Sequence, residues 1–268
     1  MSLALYQVDA FTPRLFAGNP AAVVPLTDWL PEAMLQAIAA ENNLSETAFF
    51  CLDQTDPIRL RWFTPTQEVP LCGHATLASA FVILTLLDPG RDHVTFTTLS
   101  GNLHVRRGDT AETLVMQLPR YHPRPCDPPP ALLAALPGTP TQVLSTAEDT
   151  NYYVVYDQTE QVRRCQPDWA QMSLLAPYNV AITAPGDALS QTDVVCRYFA
   201  PNLGIPEDPV TGAIQCGLVP YWASRLGQSA VSCQQLSARQ GWLRGHLGDN
   251  HIELHGQARL YLSGSLHL

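Results

Sequence analysis

Short apolar segments broken by turn residues dominate this chain, and a few longer stretches depart from that pattern. Residues 5–11, 21–24, 47–52 and 59–63 read as strands, with Leu60 and Trp62 on one face of the last. Further strands fit residues 94–96, 103–106, 113–118, 143–144, 152–156, 180–183 and 194–199. Residues 231–234, 243–247, 251–254 and 257–262 read as four more. Residues 28–42 predict a helix: Asp28 can cap it, Pro31 suits its first turn, and Leu30, Met34, Leu35 and Ile38 share a face. A second short helix fits residues 168–175. The longest apolar run, Ala75 to Leu87, is too short for the roughly 20 residues that cross a bilayer. It predicts a buried helix from about Gly73 to Leu87, and another helix is expected from about Gly212.

The two buried helices follow similar sequences. Residues 61–70 read RWFTPTQEVP and residues 197–206 read RYFAPNLGIP. At constant offset Arg61 matches Arg197, Phe63 matches Phe199, Pro65 matches Pro201 and Pro70 matches Pro206, with Trp62/Tyr198 and Val69/Ile205 as close pairs. A glycine-containing stretch and a helix of small and apolar residues follow each copy. The chain therefore reads as a duplication, two α+β halves each with strand, loop and central helix. The proline-rich segment 119–130 is the best boundary between them. That places one lobe at 1–118 and the other at 119–268, with the last strand, 257–268, able to return to the first.

Composition narrows the function. A chain of 268 residues with 46% apolar side chains is globular and can bury a substantial core. A net charge of −9 and the absence of basic runs argue against nucleic acid as a partner. Seven cysteines, an odd number without CxxC spacing, argue against a disulfide framework or a structural zinc site and fit a reducing cytoplasm. The beginning MSLALYQVDAF lacks the basic and apolar regions of a signal peptide, and no membrane association is expected.

If the duplication holds, each central helix starts after an equivalent loop and presents unpaired N–H groups with a partial positive charge. Two such ends facing one cleft would hold a carboxylate or a developing enolate, and Gly73 and Gly212 would let the backbone approach it. His74 falls in the first turn of the first helix. It is either a hydrogen-bonded core histidine or a donor to substrate, and the helix end should lower its pKa. Cys72 is an activated thiolate or, the better reading, a small packing residue, since the second copy offers no facing thiol and Cys216 comes one turn too late. Asp208 precedes the second helix, as an N-cap or as a site acid; its neighbour Glu207 points elsewhere. Glu46, flanked by Leu44, Ala48, Phe49 and Phe50, is either a surface charge at a strand end or a desolvated carboxyl whose raised pKa suits general acid/base work. Residues 251–255, HIELH, resemble a zinc motif but have the Glu misplaced and read as strand. No GxGxxG, Walker or nucleophilic-serine motif is present.

The segments VDAFTPRLFAGNPAAVV (8–24), NLSETAFF (43–50), RWFTPTQEVPLCGHAT (61–76) and GIPEDPVTGA (204–213) together resemble the phenazine-biosynthesis isomerase (PhzF-like) family. The resemblance implies the diaminopimelate-epimerase-like fold: an α+β protein of two similar lobes, each a sheet wrapped around a central helix, with the active site between. It implies Glu46 as the residue that moves a proton between substrate carbons, with His74 and Asp208 assisting. It also implies substrate contacts at Asn19, Gly73, Thr211, Gly212 and Ala213. Ala213 stands where the phenazine enzyme has serine, so the substrate is expected to differ from that enzyme's trans-2,3-dihydro-3-hydroxyanthranilate. No metal, nucleotide or other cofactor is implied, and homodimers are common in the family. Pro220, inside the second helix, is expected to kink or break it.

The expectation is a cofactor-independent isomerase acting on a small carboxylate-bearing compound. A racemase or epimerase of amino or hydroxy acids, or a non-catalytic binding protein of the same fold, stands as the alternative.

Overall fold

The structure is a computed structural model, and it describes residues 2–52, 56–110 and 112–268. By its own contacts the chain divides into two compact units: Met1–Leu118 with Glu253–Leu268, and Pro119–Ile252.

The first unit contains β1 (Ser2–Ala10), β2 (Asn19–Leu26), α1 (Glu32–Asn42), β3 (Glu46–Cys51), β4 (Ile58–Phe63), β5 (Glu68–Val69), α2 (Gly73–Phe81), β6 (His93–Thr98), β7 (Gly101–Arg107) and β8 (Thr113–Pro119). β1 pairs antiparallel with β2, β2 parallel with β3, β3 antiparallel with β4, β4 parallel with β6, and β6 to β8 form a meander. The C-terminal strand, His251–His267, pairs with both β1 and β8, which closes the sheet on itself and leaves no free edge there. It is continuous where two strands were expected.

α2 packs against β1, β2, β3 and β7, and every residue from Gly73 to Ala80 is buried. Small side chains let it fit inside the sheet. Its hydroxyls are satisfied by carbonyls one turn back: Thr76 Oγ1 donates to Cys72 O at 2.5 Å and Ser79 Oγ to Ala75 O at 2.7 Å. From Val82 to Leu87 the helix continues as a π-helical turn, and the Arg107 guanidinium donates to Leu84 O and Pro89 O near that end. α1 covers the other face through Leu35, Ile38 and Ala39, which join Val24, Phe49 and Phe63 in one core. It starts at Glu32, after Pro31, and the Asp28 cap is not formed, because the chain stays extended through Pro31 (ψ 141°).

The second unit repeats this plan. It holds β9 (Arg124–Pro125), α3 (Pro130–Ala135), β10 (Gln142–Ser145), β11 (Asn151–Val155), α4 (Thr159–Arg163), α5 (Trp169–Ser173), β12 (Asn179–Pro185), β13 (Val194–Ala200), β14 (Ile205–Glu207), α6 (Gln215–Leu226), β15 (Ala230–Gln235) and β16 (Gly241–Leu247). β11 is parallel to β12, β12 antiparallel to β13, β13 parallel to β15 and β15 antiparallel to β16, the order seen for β2, β3, β4, β6 and β7. Strands β12 and β13 are buried on both faces because both are covered, and the one charged side chain there, Arg197, is paired with Glu207. Val180, Ile182 and Phe199 pack with Leu132, Val162 and Met172 from α3 to α5, while Ala181, Cys196 and Tyr198 pack with Leu218 and Trp222 of α6.

The proline-rich segment is an ordered part of this unit rather than a free linker, since β9 pairs with β10. Tyr121 explains why Pro220 neither breaks nor ends α6. Proline cannot donate to the carbonyl four residues back, that of Cys216, and the Tyr121 N–H takes that acceptor at 2.9 Å. The helix also starts at Gln215, not Gly212: residues 212–214 form a tight turn with Gln215 N donating to Gly212 O at 3.1 Å and Cys216 N to Ala213 O at 3.1 Å. No helix among the described residues is long and apolar enough to cross a membrane.

Candidate active site

β2 and β3 are parallel neighbours with Ala21 opposite Glu46, so the first residues of both strands, Asn19 and Glu46, lie at one end of the pair. Asn19 is delivered there by a turn that only glycine can make. Gly18 has φ +70°, and a Cβ on it would meet Ala10 O at 2.2 Å. α2 starts beside them, with Cys72 as its extended N-cap and Gly73 and His74 as its first residues.

The side chains converge on the His74 imidazole. Nε2 lies 3.0 Å from Glu46 Oε2, and Nδ1 lies 3.2 Å from Asn19 Nδ2 and 3.5 Å from Cys72 Sγ. In the neutral ring the Asn19 amide donates to Nδ1 and the proton belongs on Nε2, facing the carboxylate; in the imidazolium Nδ1 carries a proton as well, and the Cys72 sulfur at 3.5 Å is the group that can accept it. The Nε2–Oε2 approach is close but not aligned as a hydrogen bond, so both atoms are buried with capacity unspent.

Burial disfavours the His74 imidazolium, yet the Cys72 sulfur and the Glu46 carboxylate outweigh it and hold the pKa well above the usual imidazole range. That reverses the expected lowering by the helix end. Burial, with the Glu46 charge adding to it, pushes the Cys72 thiol up to about 11. The two shifts belong to one coupled pair: a proton on the Cys72 sulfur removes the larger support of the imidazolium and leaves the Glu46 carboxylate as the other. Donor atoms of Glu46, Cys72 and His74 lie within 4.8 Å of one another and could hold an ion, which would displace the Cys72 thiol proton on binding.

A second cluster lies on the turn before α6. Thr211 Oγ1 donates to Asp208 Oδ2 at 2.5 Å. Gln235, fully buried on β15, fastens this turn: its Nε2 donates to Asp208 O at 2.8 Å and its Oε1 accepts from Thr211 N at 2.9 Å. Gly212 and Ala213 complete the turn. Glu207 is committed elsewhere, to Arg197 Nε at 2.7 Å and Nη2 at 2.9 Å. Asp208 N donates to Tyr198 O at 3.0 Å, and the Tyr198 hydroxyl donates to Asn151 Oδ1 at 2.8 Å. Asn19, Glu46, Gly73 and His74 thus gather within the first unit, and Asp208, Thr211, Gly212 and Ala213 within the second.

Sequence reading missed Gln235, Tyr198, Asn151 and Asn179. Only Tyr198 carried a signal, as the partner of Trp62 in the repeated segment. Asn179 opens β12 opposite Asn151, the place in the second unit that Glu46 holds in the first. The duplication therefore keeps an acid in one copy and an amide in the other.

The fold, a sheet wrapped on a small-residue helix and repeated once, is similar to that of a solved hydroxyproline epimerase of Agrobacterium vitis, with a TM-score of 0.60 at 10% identity. Residues 8–264 match the model of the family described as phenazine biosynthesis-like protein. The chain is 46% identical over 268 residues, all of both chains, to an uncharacterised isomerase of Pseudomonas aeruginosa. It is 38% identical to a human phenazine biosynthesis-like domain-containing protein, covering 99% of each. A crystal structure of a PhzF-family protein from Enterococcus faecalis superposes with a TM-score of 0.93 at 39% identity, covering 100% of both chains. The chain belongs to the phenazine biosynthesis-like (PhzF) family, and it is an isomerase.

Proposed function

We propose that the chain moves a proton between carbons of a small carboxylate-bearing substrate, without a cofactor, in a reaction similar to that of trans-2,3-dihydro-3-hydroxyanthranilate isomerase. The observation that carries this reading is the buried approach of His74 Nε2 to Glu46 Oε2 at 3.0 Å. Removing a proton from carbon beside an unsaturated system needs a positioned base and donors for the charge that develops. Glu46 takes the proton and returns it at another carbon. His74 donates from Nε2 and balances the carboxylate. The backbone N–H groups at the start of α2, with Asp208, Thr211, Gly212 and Ala213 of the second unit, orient the substrate. Asn19 fixes the imidazole.

A two-base racemase would use Cys72 as a thiolate. A thiol pushed up to about 11 counts against that role. The presence of Asn179 at the position equivalent to Glu46 also favours a single base. The enzyme is proposed to act in the cytoplasm as a homodimer, in line with its cysteine usage and its family.

The test is proton exchange in D2O, followed by NMR, with trans-2,3-dihydro-3-hydroxyanthranilate and a panel of small unsaturated carboxylates. Deuterium entering a carbon position, accompanied by a shifted double bond, supports the isomerase reading. Inversion at a single carbon with no shift of a double bond would replace it with the racemase.

A further inference from the structure

The second unit holds a cleft of about 420 Å³ that shares no lining residue with either cluster described above. Arg120, His122 and Arg124 line it from the segment before α3, and Tyr221, Ser224 and Arg225 line it from α6. No acidic residue takes part. This is unusual in a chain of net charge −9 whose fifteen basic side chains are all arginine. Several arginines elsewhere are matched to acids: Arg61 to Glu32 and Glu68, Arg163 to Glu160 and Asp187, Arg197 to Glu207, Arg259 to Glu112. Arg120, Arg124 and Arg225 make no ion pair among the described residues.

Their other contacts leave them available. Arg120 reaches only the carbonyls of Gly248 and Asp249, each at 3.4 Å, and its Nε is buried without an acceptor. Arg225 Nη1 leans on the Tyr221 oxygen at 3.4 Å, while that hydroxyl donates to Gln142 Oε1 at 2.9 Å. A buried guanidinium N–H without an acceptor is costly, and three like charges in one cleft add repulsion. An anion bound in the cleft relieves the repulsion. Arginine forks pair two N–H groups with two oxygens, the geometry of phosphate and carboxylate. Three of them suit more than one negative charge, and the volume suits a metabolite-sized ligand.

We propose that this cleft is a binding site for a small dianion, a phosphate monoester or a dicarboxylate, gripped by Arg120, Arg124 and Arg225. Calorimetric titration of the whole chain at fixed low ionic strength tests it, with phenyl phosphate, malonate and, as a monoanion control, acetate. One dianion per chain should bind saturably. Preference for phenyl phosphate or for malonate names the ligand's anionic group. Arg124→Gln and Arg225→Gln change exposed side chains, and each should weaken binding about ten-fold while the melting temperature in the absence of ligand stays put. Failure of both dianions to bind, acetate binding equally well, or unchanged affinity in the doubly substituted chain would overturn the proposal.

Discussion

His74 Nε2 stands 3.0 Å from Glu46 Oε2, with the other ring nitrogen held by the Asn19 amide. The pair ties the first turn of a buried helix to the first residue of a strand, so its charge state is part of the fold as well as of the site.

That coupling has a pH signature. The His74 pKa in the folded chain lies above its unfolded value of about 6.5, so the folded state binds the proton more tightly. The stabilisation is fully present below about pH 6.5 and is lost as pH rises through the folded pKa. Urea unfolding across this range should show the wild type losing stability relative to His74→Gln as pH increases. A constant difference between the two would show that the ion pair contributes nothing.

Cys72 should be dispensable for proton transfer and slow to alkylate. With the thiol pushed up to about 11, only about one molecule in ten thousand carries a thiolate at pH 7. Mass spectrometry after iodoacetamide should find Cys72 unmodified in the folded chain, and Cys72→Ser should keep exchange activity within about ten-fold, below the range of a lost acid or base.

Gln235 acts on the second cluster through the backbone. Gln235→Leu leaves Asp208 O and Thr211 N without their buried partner, at a cost of about 1–3 kcal/mol. If Asp208 and Thr211 orient substrate, KM should rise with little change in kcat. A loss of stability with unchanged KM would confine Gln235 to packing.

The duplication was legible because Arg61 and Arg197 recur in register, and each does the same thing. Arg61 grips Glu68 and lies 5.0 Å over Phe63; Arg197 grips Glu207 and lies 5.0 Å over Phe199. The acids escaped the sequence comparison because Glu68 follows its arginine by seven residues and Glu207 by ten. A short 3-10 turn, Pro201–Leu203, lies between in the second copy. Helices α3 and α4 were missed since five or six residues carry too little periodicity to read. Asn19, Glu46 and His74 stood out through the resemblance of their motifs. The direction of the His74 shift did not, because it depends on how the Cys72 sulfur and a carboxylate 28 residues away in the chain are set around the ring once α2 packs against β3. Gln235 and Asn179 belong to the same class: amides without a motif, placed by strand register.

Glu46 is the group proposed to take and return the proton. Deuterium uptake from D2O by a substrate of the wild-type chain, repeated with Glu46→Gln, tests it most directly. The amide keeps the size of the side chain and removes its basicity, so uptake should fall by about 10²–10⁴ while the melting curve stays cooperative. Uptake at the wild-type rate in Glu46→Gln would contradict the assignment and place the base elsewhere.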